Sequence, residues 1–391
     1  MNYAFHFRLL LALLTTLGLG SCQKESFEQE LRAPVAQTFD ANHPWAADLQ
    51  AIIDDYARRG LPGIVVAVQS PAGRWEGTGG LAKVETGTRL APGYVHAAGS
   101  VSKMYTAAAV LRLQELGRLR LDEKISAYLP ADVSRQLTRP GDISVRMLLS
   151  HTAGVPDYVD NLNYQLRWYN ELTKPWTADD ALRYAYGKPL LFEPGTQYSY
   201  SNNNYVLLSL LINHVTGTRE GEWLRDNILQ PAGLTRTYYK AQPEYLERLP
   251  LPNFYFDRYG NGRVENITAA TLTEIRSELG DGGLVATGLD FVAFMEALAQ
   301  GRIVSAASWA QMRTPVRGEY GLGIDVWDLK GRKQYGHSGA VFGASAVLLY
   351  FDDQRAAVFV GSNVDADLVP GKTLQLYHEM KNKVLDYVAA H

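Results

Sequence analysis

The 391-residue chain carries 38 basic and 41 acidic side chains, a formal net charge of −3, and 46% of its residues are hydrophobic. That is enough apolar material for one large domain or two ordinary ones. Near-balanced charge without a long basic block gives no footing for nucleic acid or an anionic membrane surface as a partner, which leaves small molecules or polymers as substrates.

The chain opens "MNYAFHFRLLLALLTTLGLGSC", with one arginine, an apolar run from Leu9 to Leu19 and then small residues, the three-part plan of a secretory signal. The run is too short to span a bilayer. Leu19-Gly20-Ser21-Cys22 resembles a bacterial lipobox, in which a signal peptidase cuts before a cysteine that carries lipid, and Cys22 is the only cysteine present. Residues 1–21 are therefore expected to be a lipoprotein signal peptide. The protein is expected to be exported and held by lipid on Cys22 in a bacterial cell envelope, in the periplasm or at the cell surface. With no second cysteine there is no intramolecular disulfide, so stability must come from core size. Losing Arg8 with the signal leaves 37 basic against 41 acidic residues and a net charge of −4.

Residues 22–43 are polar and aperiodic, as expected of a tether, with one domain over 44–391. "WAADLQAIIDDYARRG" spaces Leu49, Ile52, Ile53 and Tyr56 at helical intervals and stops on Gly60. "GIVVAVQS" and "RWEGTGG", joined through Pro71-Ala72-Gly73, read as an antiparallel hairpin. The middle is mostly helical: "SKMYTAAAVLRLQELG", "ISVRMLLSHTAG", "TADDALRYAYG", "NNYVLLSLLINHVTG" and "LDFVAFMEALAQG" have helix-like apolar spacing, and several close on glycine. Strands return in "YGLGIDVWD", "KQYGHSG", "SAVLLYFDD" and "AAVFVGSN", and "KTLQLYHEMKNKVLDYVAAH" is a last helix. Strands at both ends with helices between predict one sheet built from the two termini and a helical insertion.

Three short constellations carry chemistry. In "AAGSVSKMYTAAAV", Ser100 and Lys103 stand at i and i+3, on one face of a helix, whereas Ser102 is poorly placed for the lysine. Serine needs a base within reach and a place for the developing oxyanion. A lysine serves as base when its pKa falls from about 10.4 towards 7 or 8, a change of about 4 kcal/mol that the fold must impose. The Ser100 N–H, after Gly99 at the helix start, is a free donor at the positive end of the macrodipole. Alone, Ser-x-x-Lys is also read as a capping serine near a surface lysine, and Ser21-Cys22-Gln23-Lys24 shows that it recurs by chance. The second constellation is Tyr200-Ser201-Asn202 in "FEPGTQYSYSNNNYVLL", where a phenol can relay a proton and an amide can bind both substrate and lysine. The third is His337-Ser338-Gly339 in "YGHSGAVFGASAVLLY", where glycine lets a substrate backbone pair along a strand edge.

Taken in order, these pieces resemble the serine hydrolase family that unites class C β-lactamases, D-Ala-D-Ala carboxypeptidases of the penicillin-binding type, D-aminopeptidases and related esterases. "GRLRLDEKISAYLP", "ISVRMLLSHTAGVPDY", "GDGGLVATGLDFVAFMEAL" and "YGLGIDV" look like further landmarks of that family in its order, so the resemblance spans about residues 45 to 365. It implies an α/β (α+β), β-lactamase/transpeptidase-like fold: an antiparallel sheet from both chain ends, flanked by helices, with a mostly helical inserted region. It also implies Ser100 as the acylated nucleophile, Lys103 as its base and Tyr200 as the partner general acid/base. Asn202 becomes a substrate and lysine contact, His337, Ser338, Gly339 and Ala340 a substrate-binding strand, and the N–H groups of Ser100 and Ala340 an oxyanion hole. His337 stands where β-lactamases of this class usually have the lysine of Lys-Thr-Gly, which points to the family's peptidases and esterases.

His151, just before the Gly154 helix stop, reads as a structural residue. No metal-ligand spacing, phosphate loop or dinucleotide fingerprint is present, so neither metal nor cofactor is expected. The sequence thus predicts a lipid-anchored serine hydrolase acting on a small peptide ending in D-amino acids, an ester or a β-lactam, with cell-wall peptides as candidate partners and no nucleic acid. The rival expectations are a β-lactamase and a non-catalytic binder of cell-wall peptides.

Overall fold

A computed structural model describes residues 40–391 apart from 241–245, 278, 319 and 366–367. The expected signal peptide, Cys22 and most of the expected tether lie outside these residues. The last four tether residues belong instead to the folded body. The Asp40 N–H donates to the Arg74 carbonyl, and the His43 ring, 2% exposed, hydrogen-bonds the Ser70 hydroxyl at 2.9 Å.

Seven antiparallel strands form the main sheet, in the spatial order β3 (Thr88–Arg89), β2 (Gly73–Lys83), β1 (Gly63–Ser70), β12 (Ala356–Ser362), β11 (Ala344–Phe351), β10 (Arg332–Val341) and β9 (Asp325–Leu329). β1 and β12 join the two ends of the chain, with Val66 opposite Val360. Every residue of β1 is buried, because the sheet is covered on both faces. Ile64, Val66 and Val68 pack in one layer with Leu49 and Ile53 of α1 (Ala46–Arg59) and with the C-terminal helix, Lys372–Ala390. Val65, Ala67 and Phe359 pack in the other layer, where Phe291 of the helix Gly288–Ala299 stacks on Phe359 at 4.4 Å.

The inserted region carries further helices, among them α2 (Ser102–Glu115), α3 (Val145–Leu149), α4 (Leu162–Asn170), α5 (Asn202–Thr216) and α6 (Thr268–Ser277). It also holds two small sheets, β4 (Val95–Ala97) with β8 (Val285–Thr287) and β5 (Thr237–Tyr238), and β6 (Tyr255–Phe256) with β7 (Glu265–Asn266). α2 is buried at eleven of its fourteen positions, so it is the central post of the insertion and has no solvent-facing stripe. None of the helices among the described residues is long and apolar enough to cross a membrane.

Two of the expected elements that fall short of their pattern lie beside the site. The "ISVRMLLSHTAG" helix stops after Leu149 because His151 takes a left-handed conformation (φ +55°), while the Leu149 carbonyl accepts the Tyr205 hydroxyl and the Gly323 N–H. "YGLGIDVWD" becomes a strand only from Asp325. Its two glycines are threaded past other backbone: a Cβ at Gly321 would lie 1.9 Å from the Met312 carbonyl oxygen, and one at Gly323 would lie 2.4 Å from Ala107 Cβ.

Candidate active site

Gly99–Val101 form a single 3-10 turn that runs straight into α2, so Ser100 and Lys103 stack one turn apart. Lys103 is 0% exposed. Its Nζ donates to Ser100 Oγ at 2.9 Å, to Asn202 Oδ1 at 2.8 Å and to the Asp281 carbonyl at 2.7 Å. Such a cation is tolerable only with its protons engaged. The Tyr200 hydroxyl donates to the same Ser100 Oγ at 2.9 Å. Ser201, extended (φ −149°), is the N-cap of α5, which leaves Tyr200 just outside the helix and Asn202 in its first turn. Loss of water around the Tyr200 hydroxyl pushes its pKa well above the ordinary value, so it is a phenol, and a donor, at neutral pH.

Behind Asn202 lies a carboxylate. Asp157 Oδ2 accepts both the Asn202 backbone N–H at 3.0 Å and its side-chain Nδ2 at 2.9 Å. With Nδ2 held there, the Asn202 amide must present Oδ1 to Lys103. Burial raises the Asp157 pKa to about 6, against the pull of its N–H donors and of Lys103. His151 supports Tyr200 from the other side: its Nδ1 accepts the Ser201 N–H at 3.1 Å, and its ring lies 4.2 Å from the Tyr200 ring. Burial lowers the His151 pKa well below its ordinary value, so the ring is neutral and fits an acceptor's role.

β10 brings the third constellation alongside. β9 pairs with β10 only between Arg332 and Gly336, so His337–Val341 have no strand partner on that side among the described residues. The Ala98–Ser100 backbone passes directly over this stretch. A Cβ at Gly339 would lie 1.9 Å from the Ala98 carbonyl oxygen and 2.8 Å from the Ser100 nitrogen, and one at Gly99 would lie 2.3 Å from the Ala340 carbonyl oxygen. The absence of side chains here is what lets the Ser100 and Ala340 amides approach each other. Beside them opens a cavity of about 390 Å³, lined by Ser100, Asn202 and Ala340 and walled by aromatic side chains.

A profile of the Beta-lactamase family matches residues 35–377. The chain belongs to that family. It is similar to penicillin-binding protein 4* of Bacillus subtilis (strain 168), 28% identical over 290 residues that cover 68% of this chain and 60% of the relative. A putative penicillin-binding protein, PbpX, of the same organism is 24% identical over 287 residues, 73% of this chain and 66% of that one. The chain thus spans under two thirds of the length of these two relatives. Among solved structures, a D-amino acid amidase from Ochrobactrum anthropi SV3, complexed with L-phenylalanine amide, superposes with TM-score 0.74 at 23% identity, covering 88% of this chain and 97% of that one. A D-stereospecific amidohydrolase from Streptomyces sp. superposes with TM-score 0.70 at 27% identity, covering 85% and 97%. The fold is the family's β-lactamase/transpeptidase-like one, as the resemblance implied.

Of the residues expected at the site, the structure brings Ser100, Lys103, Tyr200 and Asn202 into one hydrogen-bonded group and sets Gly339 and Ala340 against Ser100. Ser338 is exposed on the adjoining strand face. The expected direct contact between His337 and substrate is where the geometry differs. The ring is 2% exposed and does not line the cavity; its Nε2 lies 3.0 Å from the Tyr320 hydroxyl. Burial lowers the His337 pKa despite Asp325, so the ring is neutral. Sequence reasoning missed Asp157 and the Asp281 carbonyl. Both lie inside quoted landmarks, "GVPDY" and "GDGG", but only the fold shows that they face Asn202 and Lys103.

Two outcomes follow from this geometry. Gly339→Ala should displace the Ala98–Ser100 segment, lowering the thermal midpoint and lowering kcat/KM for any substrate turned over through Ser100 by on the order of 10²-fold, the cost of spoiling one oxyanion donor. As pH falls through about 6, Asp157 takes up a proton, loses its charge and becomes a weaker acceptor for the two N–H groups of Asn202. Activity should therefore decline on that acid limb, and in Asp157→Asn the limb near that pH should vanish from the kcat/KM profile while the plateau drops.

Proposed function

We propose that the protein hydrolyses amides or esters through an acyl-enzyme on Ser100, with peptides or amides of D-amino acids as its substrate class. The observation that supports this best is the double donation onto Ser100 Oγ, from Lys103 Nζ and the Tyr200 hydroxyl, both at 2.9 Å. A serine with only a structural role has no need of a buried lysine and a phenol converging on it.

In the proposed cycle Lys103, once neutral, takes the Ser100 proton as Oγ bonds to the substrate carbonyl carbon. The carbonyl oxygen gains negative charge against the Ser100 and Ala340 N–H groups. Because Tyr200 is a phenol, it can hand its proton to the departing amine or alkoxide as the C–N or C–O bond breaks, and regain one from Lys103. Water then attacks the acyl-enzyme, the same groups run the proton transfers in reverse, and Ser100 leaves with its proton. The neutral, buried His337 supplies no fixed cation for a substrate carboxylate, which favours amides and esters over β-lactams. The amidase and amidohydrolase among the similar structures are in keeping with this substrate class. Lipid anchoring at Cys22 in a bacterial envelope is part of the same proposal, carried by the lipobox-like sequence.

Intact-mass measurement after treatment with a fluorophosphonate should show one adduct on the wild type and none on Ser100→Ala. An adduct that persists in Ser100→Ala, or none on a wild type that also turns over no ester, would overturn the acyl-enzyme. For the anchor, metabolic lipid labelling in a bacterial host should be lost in Cys22→Ala, and label surviving that change would refute it.

A further inference from the structure

The cavity beside Ser100 is shaped by features that the acyl-enzyme chemistry does not need. Its walls are Tyr158, Tyr164, Trp168, Trp176 and Phe342. These rings hold one another in edge-on contact, Tyr164 against Tyr158 at 4.7 Å and Trp168 against Phe342 at 5.0 Å, so the walls are preformed. Two of them come from α4, a helix with no fully buried residue, whose Tyr164 and Trp168 pack at the edge of the core and line the cavity as well. The volume, about 390 Å³, is far more than a methyl group fills; an apolar cavity of about 150 Å³ already holds a benzene ring.

Charge in the cavity is one-sided. Glu274, Asp281 and Asp365 line it, and no lysine, arginine or histidine does among the described lining residues. Asp281 is engaged in the frame of the site, its carboxylate accepting the Tyr158 hydroxyl and the Leu279 N–H. Glu274, on α6, is placed differently: its Oε2 lies 3.3 Å from the Phe342 N–H, two residues beyond Ala340 on the run that carries the oxyanion donor. A carboxylate there, among aromatic faces, attracts a cation both directly and through the rings, and it repels an anion.

Resting on the serine-hydrolase reading, we propose that this cavity is the acyl-side subsite, and that it selects a bulky aromatic α-aminoacyl group whose amine is free and protonated, with Glu274 reading the positive charge. Alanyl groups leave the cavity unfilled, and a carboxylate carried into the cavity meets the like charge of its acidic lining. The inference therefore separates this chain from a carboxypeptidase that works on D-alanyl-D-alanine.

The test compares p-nitroanilides of D-phenylalanine, D-alanine and N-acetyl-D-phenylalanine on the wild type, Glu274→Gln and Trp168→Ala, each first checked for an unchanged thermal midpoint. The phenylalanine compound should exceed the alanine one in kcat/KM by on the order of tenfold to a hundredfold, the range expected for burying a ring. Trp168→Ala should erode that ratio. Acetylation should lower kcat/KM about tenfold in the wild type, a factor of the size seen for one charge interaction at a partly buried site, and Glu274→Gln should collapse the difference. In parallel, calorimetry on Ser100→Ala measures binding of D-phenylalanine amide and D-alanine amide, so that a readout remains without turnover. Equal or inverted preference for alanine in both kinetics and binding, or an acetyl effect untouched by Glu274→Gln, overturns the subsite assignment. If the fluorophosphonate adduct on Ser100 forms in the same preparation, the hydrolase reading survives that loss.

Discussion

The structure turns on one buried cation. Lys103 has no solvent exposure, and removing an ammonium from water costs several kcal/mol unless its protons are all received. They are received by Ser100 Oγ, Asn202 Oδ1 and the Asp281 carbonyl, which come from the start of α2, the start of α5 and the loop before β8. Three distant stretches of chain are thus tied to one nitrogen. Misplacing any of them leaves a charge without a partner in a low-dielectric interior, and the same desolvation is what a lysine base requires to give up a proton near neutral pH.

Holding these acceptors in place falls to groups that touch neither Ser100 nor a substrate. Asp157 fixes which face of the Asn202 amide meets the lysine, and His151, neutral, holds the Ser201 N–H and supports the Tyr200 ring. A further layer stands behind the Asp281 peptide. The Thr106 hydroxyl lies 2.7 Å from Glu220 Oε1 and 3.0 Å from the Gly280 carbonyl, and the Tyr239 hydroxyl donates to Glu220 while accepting the Gly280 N–H. Burial raises the Glu220 pKa, although its hydrogen bonds with Ser209, Thr106 and Tyr239 favour the charged form. Polar groups at this depth are tolerable because they are bonded to one another, so the network is rigid for the same reason that it is costly.

How much of this could be read from the amino-acid sequence depended on the kind of signal. Elements with a long apolar period were legible almost to the residue: α1, β1, α5 and the C-terminal helix lie within a residue or two of their patterns, because burial imposed both the pattern and the element. Elements held by tertiary contacts were not. β4 and β8 are three residues long, too short for any period, and exist because they pair with each other. α4 was hard to see because the leucines in its pattern, Leu162 and Leu166, are exposed, while its packed face is made of Tyr164 and Trp168, neither fully buried. At the site, Ser100, Lys103, Tyr200 and Asn202 were legible through short motifs in the order of a known family. Asp157 and Asp281 were not, since one acts on Asn202 through its side chain and the other on Lys103 through a backbone carbonyl, and neither spacing nor residue type betrays such a contact.

A histidine at position 337 suits the charges around it better than a lysine would. A lysine at that position would place a second ammonium near Lys103, and each cation would disfavour the charged form of the other. The imidazole avoids this: it is buried against Tyr320, burial and Lys103 both lower its pKa, and the nearby Asp325 does not outweigh them. The site therefore has one cation, committed to the nucleophile, and carboxylates along the cavity next to it. In such a field a neutral carbonyl bearing a positive neighbour is held more favourably than a carboxylate. The neutral His337 and the acidic lining of the cavity thus push substrate charge in the same direction.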